Sequence, residues 1–271
     1  MSKSEASESS ASQRATDRSL ADVGIVCTHK GELKTFLRRV DRQKSYRENS
    51  MTIRGGFLGE TNRIVIAEAG YGFARHRAAT EWLADKHKPE WILAVGFSSS
   101  LAQAVVPGDI VLADQIRDNH GNELPVRCTL KARKRIHVGR MACPDTRPLT
   151  TADKQALAES SAAIAADPGA MAVVQVCQER EIRCLVVRAI VDGFSEDVPE
   201  AAAGMVFRAD SRSKGSVLGN LFGGLSAAAS ELKVWRDRGV DAERHLDRFL
   251  AGLTEQISEL QERNRRRPSR S

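Results

Sequence analysis

The stretch "VVRAIVDGFSED", from Val186 to Asp197, opens with the apolar run of a buried strand and then changes character. Arg188 interrupts the run, and Asp192 and Gly193 end it. The wider segment "RCLVVRAIVD" therefore predicts a strand that presents a carboxylate at its end. An arginine inside such a strand needs an ion-pair partner or an anionic ligand. A cap or turn role for Asp192 and a structural ion pair for Arg188 both remain open at this stage.

Short apolar runs alternate with helical patterns on both sides of this stretch, and the alternation indicates an α/β fold. Predicted strands are "VGIVCT", "MTIRGGFLG", "NRIVIAEAG", "EWILAVG", "GDIVLAD" and "RIHVGRMA". Predicted helices are "GELKTFLRRV", "FARHRAATEWLADKH", "TTADKQALAESSAAIA" and "DPGAMAVVQVCQERE", and beyond residue 200 "SVLGNLFGGLSAAASELKVW" and "AERHLDRFLAGLTEQISELQER". We expect one domain with three α/β/α layers, a mixed central sheet and extra C-terminal helices packed on its flank.

Local signals refine three of these helices. Thr151 is the predicted N-cap of the first helix after residue 150. Asp167 is the predicted N-cap of the next one, with Pro168 at the first helical position. The helix "FARHRAATEWLADKH" should bury an apolar face made of Ala74, Ala78, Trp82 and Leu83.

The chain has 271 residues, of which 41% are apolar, and a formal charge of +6. Composition divides it into a disordered arm over residues 1–21, a domain over residues 22–262 and a basic tail over residues 263–271. No apolar run approaches the length of a membrane helix, and the polar N-terminus lacks the apolar core of a secretory signal, so we expect a cytoplasmic protein without a membrane partner.

Five cysteines without CxxC spacing or a neighbouring histidine cluster indicate reduced, structural thiols. The same absence of a ligand cluster predicts that the protein uses no metal and no organic cofactor. The basic segments "LKARKRIHVGR" and "RNRRRPSRS" carry no interleaved aromatic residues for base stacking, so we do not expect nucleic acid as a partner.

Ligands of open α/β sheets bind outside the carboxyl ends of the strands. Glu32 follows the first predicted strand, Gly96 and the run Phe97–Ser100 follow "ILAV", and Asp192 ends the last strand. Two carboxylates at separate strand ends can divide labour: one takes a proton from water while the other gives a proton to a leaving group.

Five segments in this order resemble the nucleoside phosphorylase superfamily, in particular the methylthioadenosine/S-adenosylhomocysteine nucleosidase branch. They are "GIVCTHKGEL", "EAGYGFARHRAATEWL", "PEWILAVGFSSSLAQAVVPGDIVLAD", "DPGAMAVVQVC" and "CLVVRAIVDGFSED". The resemblance implies a small nucleoside as substrate and a homodimer or larger homo-oligomer. It also implies that Asp192 protonates the departing base, Glu32 deprotonates the attacking water, and Arg188 helps to place that water.

The chain departs from the family pattern at the sugar. The Met-Glu pair that grips the ribose in the family falls on Pro168 and Gly169, and Asp167 lies two positions before Gly169. The family's "SAGGL" turn reads "FSSSL", which brings in Phe97 and Ser98 after Gly96. His29 stands where an apolar residue usually lies near the sugar. We expect these residues, Asp167 and Gly169 included, to contact the substrate.

Three functions remain open from the sequence. The first is a purine nucleosidase-type N-glycosidase that hydrolyses a nucleoside or thio-nucleoside. The second is a catalytically impaired nucleoside-binding or regulatory module, which the missing ribose glutamate favours. The third is a phosphate-dependent phosphorylase acting on a modified or lipid-linked nucleoside, for which Arg188, Gly70 and Gly72 would supply the phosphate contacts.

Overall fold

The computed structural model describes residues 20–199, 202–204 and 225–266. Residues 1–19 of the predicted N-terminal arm, residues 267–271 of the predicted tail and most of the stretch "SVLGNLFGGL" lie outside the described residues.

A single sheet of ten strands forms the centre of the described chain. The strands are β1 (Val23–Cys27), β2 (Asp41–Glu48), β3 (Met51–Leu58), β4 (Asn62–Glu68), β5 (Trp91–Ser100), β6 (Ile110–Asp118), β7 (Glu123–Pro125), β8 (Ile136–Cys143), β9 (Ala165–Ala166) and β10 (Arg183–Asp192). The α-helices are α1 (Phe73–His87), α2 (Thr151–Ser161), α3 (Ala170–Glu179) and α4 (Leu225–Arg266), and 3-10 helices cover Lys30–Leu33 and Phe36–Arg39.

Strand β5 organises the sheet because it pairs with three neighbours. It is parallel to β1 and to β10 and antiparallel to the short β9. From β10 the pairing continues through β6 and β8 to β9 and so returns to β5, which closes part of the sheet into a ring. Beyond β1 the sheet stays open through β4, β3 and β2. The predicted mixed central sheet is confirmed.

Helices cover both faces of the sheet, which confirms the predicted α/β/α layers. On one face, α1 and α3 bury Leu83 and Val173 with the side chains of β1 and β5. On the other face, α4 buries Trp235, Leu246 and Leu250 against the opposite side of the same strands. Strands covered on both faces read as continuous apolar runs, which is why β1, β5 and β10 are so visible in the sequence.

The two helices predicted after residue 200 form one helix where the structure describes them. Helix α4 runs unbroken over 42 residues. Its apolar stripe packs into the core of this chain. On the same helix, the carboxylate of Asp247 accepts hydrogen bonds from Nε and Nη2 of Arg39 at 2.6 and 2.8 Å. None of the described helices is long and apolar enough to cross a membrane.

Several local predictions are corrected. Thr150, not Thr151, caps α2, because its side chain accepts the N–H of Asp153. Helix α3 begins at Ala170 with Gly169 as N-cap, so neither Asp167 nor Pro168 holds its predicted place.

The predicted helix "GELKTFLRRV" is two 3-10 helices. Strand β2 was not predicted, since its exposed polar residues carry no apolar alternation. In α1, Ala74 and Ala78 are exposed, and the buried face is formed by His76, Ala79, Thr80, Leu83 and Ala84.

Candidate active site

The carboxyl ends of β1, β5 and β10 lie at one edge of the sheet because these strands are parallel neighbours. A recess of about 250 Å³, part of it open to solvent, lies at this edge. It is lined by Thr28, Glu32, Tyr71, Gly72, His76, Arg147, Asp167, Pro168 and Gly169. Of the candidate residues from the sequence, Glu32, Asp167 and Gly169 line it.

Backbone donors hold Glu32 in place. The residue sits in the 3-10 helix after β1 and is 3% exposed. Its Oε2 accepts the N–H groups of Thr28 at 2.8 Å and His29 at 3.3 Å. Its Oε1 accepts the N–H of Phe97 at 3.1 Å, so the carboxylate ties β1 to the end of β5. Hydrogen bonds of this kind are stronger to an ionised carboxylate than to a neutral one.

The absence of a side chain at Gly96 leaves room for this carboxylate. A Cβ atom at position 96 would lie 2.7 Å from Glu32 Oε1, closer than real Cβ contacts allow. His29 caps the 3-10 helix, with Nδ1 accepting the N–H of Gly31 at 3.1 Å, and its ring meets Phe97 edge-on. Ser98 donates to the carbonyl of Ala166.

Hydrogen bonds or steric constraints of the fold thus account for Gly96, Phe97, Ser98 and His29. None of the four belongs to the set that lines the recess.

Arg188 is paired with Asp167, a contact the sequence could not specify. Its Nη2 donates to Asp167 Oδ1 at 2.8 Å, and its Nη1 donates to the carbonyls of Ala94 and Val187. Burial alone would raise the pKa of Asp167, but the charge and hydrogen bond of Arg188 outweigh it and lower that pKa to about 2. Asp167 also accepts the N–H of Gly169, so it shapes the turn before α3 instead of capping the helix.

Asp192 is fully buried at the end of β10, where the sequence predicted a strand end. Its Oδ2 lies 2.6 Å from the ammonium nitrogen of Lys154, and its Oδ1 accepts the hydroxyl of Ser99 at 3.0 Å. Burial raises the pKa of Asp192 even though Lys154 and Arg147 act against it. The carboxyl group is therefore easier to protonate than an exposed aspartate, as a general acid requires.

Lys154 is as buried as its partner. The side chain of this α2 residue is 0% exposed, and its ammonium group also donates to the carbonyls of Gly193 and Glu196 at 2.8 and 2.6 Å. The ammonium nitrogen therefore has three oxygen neighbours, two carbonyls that accept its hydrogen bonds and the Asp192 carboxylate as its ion-pair partner. Lys154 thus fixes the loop after β10 together with the carboxylate of Asp192.

Glu32 and Asp192 approach β5 from its two sides. Glu32 binds the N–H of Phe97 and Asp192 binds the hydroxyl of Ser99, two residues further along. At about 3.3 Å per residue, these attachment points are about 7 Å apart along the strand. Arg147 covers this segment: its Nη2 donates to the carbonyl of Phe97 at 2.9 Å and its Nη1 to Ser99 Oγ at 3.3 Å.

Sequence reasoning missed three residues of this region: His76, Arg147 and Lys154. A lone histidine or lysine on a helix reads as a core or surface residue, and Arg147 lies in a loop with no motif around it. The role of each depends on contacts with residues far away in the chain, so no local sequence pattern indicates that it belongs to the site.

The described residues contain no cluster of potential metal ligands, and the pKa values of Cys27 and Cys143 are raised. Among the described residues, no group of three or more His, Cys, Asp or Glu side chains could hold a metal ion. All five cysteines are free, and burial raises the pKa values of Cys27 and Cys143. Thiols with raised pKa values stay protonated and behave as small apolar side chains.

Comparison with known proteins agrees with this architecture. The family model of the phosphorylase superfamily matches residues 22–221. The chain belongs to the phosphorylase superfamily. This match covers the sheet, the recess and helices α1 to α3 of the superfamily member.

Solved structures show the same fold at low identity. The 5'-methylthioadenosine/S-adenosyl homocysteine nucleosidase of Helicobacter pylori superposes on this phosphorylase-superfamily chain with a TM-score of 0.67 at 16% identity, covering 88% of this chain and 100% of its own. The nucleosidase of Neisseria meningitidis gives 0.62 at 13% identity, with 85% and 98% covered. A futalosine hydrolase mutant of H. pylori gives 0.59 at 18% identity, with 66% and 90% covered.

Proposed function

We propose that this protein is an N-glycosidase of the nucleosidase type that hydrolyses the bond between a purine base and its sugar. The observation that carries the proposal is the attachment of two buried carboxyl groups, Glu32 and Asp192, to β5 two residues apart. Superfamily membership supports it, and so do the fold neighbours, which are nucleosidases and a futalosine hydrolase.

In the proposed reaction the carbon–nitrogen glycosidic bond breaks and its electron pair leaves with the base. Asp192, whose pKa burial has raised, gives its proton to a ring nitrogen of that base. A water molecule attacks the cationic sugar carbon and passes a proton to the Glu32 carboxylate. The sugar passes through an oxocarbenium-like state, which the carboxylate of Glu32 stabilises by its charge.

Access to Asp192 depends on Arg147 in this proposal. The guanidinium group of Arg147 covers the β5 segment between the two carboxyl groups. The residue is only half-buried, whereas Asp192 behind it is fully buried. A base that reaches Asp192 must therefore displace the Arg147 side chain, and a partly exposed arginine can make that movement within its rotamers.

Hydrolysis fits the recess better than phosphorolysis. The carboxylate of Glu32 lines it and repels a phosphate dianion, and the guanidinium of Arg147 in the same recess already donates to Phe97 and Ser99. The charge of Arg188 is committed to Asp167, so it offers phosphate little attraction. Turnover that does not change with phosphate concentration is the expected result.

A nucleoside-binding module without turnover is the second candidate, and one observation favours it. The ammonium group of Lys154 holds Asp192 in a fully buried ion pair, which opposes protonation of the would-be acid. Nucleoside binding in a calorimeter without base release would identify such a module.

The proposed function is tested by base release from a panel of purine nucleosides and thio-nucleosides, followed by chromatography with and without phosphate. Asp192→Asn and Glu32→Gln should each lower the rate by about a hundredfold or more, because each removes one proton-transfer group. Asp114→Asn, on the exposed part of β6, is the matched control and should keep the parent rate. Unchanged base release in Asp192→Asn would refute the assignment.

A further inference from the structure

His76 of α1 lines the recess yet takes no part in the reaction proposed above. It is 3% exposed. Its Nδ1 lies 3.0 Å from the carbonyl oxygen of Gly72, one turn earlier, which also accepts the backbone N–H of His76. A carbonyl oxygen only accepts hydrogen bonds, so Nδ1 carries the proton in this contact.

The other ring nitrogen is then a hydrogen-bond acceptor. Burial lowers the pKa of His76, although the nearby Asp167 acts in the opposite direction, so the ring is neutral near pH 7. A neutral ring protonated at Nδ1 carries a lone pair at Nε2. Among the residues that the structure describes, Nε2 is buried and has no hydrogen-bond partner.

A buried acceptor without a partner is unfavourable and calls for an explanation, such as a ligand that supplies the missing donor. The carboxylates of Glu32 and Asp167, whose charges act on His76, are also acceptors, whereas the guanidinium of Arg147 in the same recess already donates to Phe97 and Ser99. A ligand that fits here presents several donors close together, which is the chemistry of sugar hydroxyl groups.

Position 169 shows that His76 occupies space another side chain could not share. A Cβ atom on Gly169 would lie 2.7 Å from three atoms of the His76 ring. A glutamate at position 169 is therefore incompatible with this ring position. The His76 ring can lie here only because position 169 carries no side chain. The hydrogen-bond acceptor beside Gly169 is therefore supplied by His76 of α1 and not by a side chain at position 169.

We propose that His76 is a specificity-determining residue whose Nε2 accepts a hydrogen bond from a hydroxyl group of the bound sugar. This inference rests on the proposed nucleoside function. His76 lines the recess together with Glu32 and Asp167, and Glu32 is the group that the proposed reaction places at the sugar, whereas Asp192, the proposed acid for the base, does not line it. The sugar, not the base, is therefore the group that meets His76.

The test measures binding of a purine C-nucleoside, whose carbon–carbon bond to the sugar cannot be hydrolysed, and of its 2'-deoxy and 3'-deoxy forms. Calorimetry compares the parent protein with His76→Asn and His76→Gln. An asparagine amide can replace Nδ1 at Gly72 but does not reach the place of Nε2, whereas a glutamine amide oxygen does. Circular dichroism and thermal unfolding verify that both variants fold.

The parent should bind the hydroxylated C-nucleoside about tenfold more tightly than one of the deoxy forms, as loss of one hydrogen bond to a buried acceptor predicts. His76→Asn should lose this preference, and His76→Gln should keep most of it. A purely structural role would weaken all three ligands equally in His76→Asn and leave the ratio unchanged, which would overturn the inference. Equal binding of all three ligands by the parent would overturn it as well.

Binding and turnover separate this inference from the proposed function. A preference that depends on His76, found together with no base release from any nucleoside, would support His76 and refute the hydrolase. Base release with a ratio that His76→Asn leaves unchanged would support the hydrolase and refute the role of His76. A parent that binds no C-nucleoside and releases no base from any nucleoside would refute both.

Discussion

Replacing Lys154 with methionine removes the positive charge that faces Asp192 and leaves the shape of the side chain nearly unchanged. The ion pair joins Nζ and Oδ2 at 2.6 Å, and both side chains are 0% exposed. An unpaired charge cannot remain in such a site, so Asp192 must take up a proton in the folded variant. The pKa of Asp192, which burial already raises, then rises further.

The magnitude follows from the pH. Each unit between the ordinary pKa of 3.8 and the solution pH is worth about 1.4 kcal/mol, so relative to the unfolded chain protonation costs the variant about 4 kcal/mol at pH 7 and about 2 kcal/mol at pH 5. The parent bears less of this cost, because Lys154 acts to lower the pKa of its Asp192. The sign is that of an acid whose folded-state pKa is raised: stability is retained below the unfolded pKa and lost as the pH rises. Lys154→Met should therefore be less stable than the parent, by a margin that widens from pH 5 to pH 7.

Urea unfolding followed by circular dichroism at pH 5, 6 and 7 measures this margin. The double variant Lys154→Met with Asp192→Asn should show a smaller loss with no such pH slope, because a neutral amide needs no proton. Its remaining loss reflects the carbonyls of Gly193 and Glu196, which lose their donor. Lys86→Met, an exposed position on α1, controls for the loss of one lysine. A pH-independent loss in Lys154→Met, or the same slope in the double variant, would refute the reasoning.

Three further predictions concern stability. Gly169→Ala should lower the free energy of unfolding by about 1–3 kcal/mol, because the alanine Cβ would lie 2.7 Å from the His76 ring. Adding His76→Ala to the same chain should remove most of that loss, as urea unfolding measures. The lowered pKa of Asp167, about 2, adds stability to the folded state above pH 3.8, and this stability is lost as the pH falls through 2. The stability advantage of the parent over Asp167→Asn should therefore shrink by about 2 kcal/mol between pH 5 and pH 2. An advantage that stays constant over this range would contradict the pairing with Arg188. Leu250→Ala should lower the free energy of unfolding by about 2–5 kcal/mol, because Leu250 is buried within this chain. Light scattering should show no change in oligomeric state. Dissociation of an oligomer without loss of stability would count against that placement.

The strands of the core were predictable because a strand that is buried on both faces has apolar residues at nearly every position. β1, β5 and β10 appear in the sequence as apolar runs, although Arg188 interrupts that of β10, and α1 and β10 have the predicted bounds. β2 shows no apolar pattern in the sequence, since it is an exposed strand held by its backbone pairing with β3. A strand that buries no side chains needs no apolar pattern.

The candidate site was predictable only in part. The order of motifs brought Glu32 and Asp192 forward, and the structure attaches both to the end of β5. The sequence assigned Gly96 to substrate contact, whereas the structure ties it to the Glu32 carboxylate. Arg188 was expected beside the attacking water, and its charged contact is with Asp167. The catalytic and binding roles of these residues stay predictions.

The sequence by itself determined which segments are the buried strands of the core, that the fold alternates strands with helices, and that two carboxylates follow or end such strands, because these features depend on the local pattern of apolar and polar residues. Only the tertiary structure decided which charges meet. Lys154 reaches Asp192 across 38 positions of the chain, and His76 faces Gly169 across 93. Pairings of this kind arise when elements pack and water is excluded, since a buried ionisable group must find a partner in space, wherever that partner lies along the polypeptide.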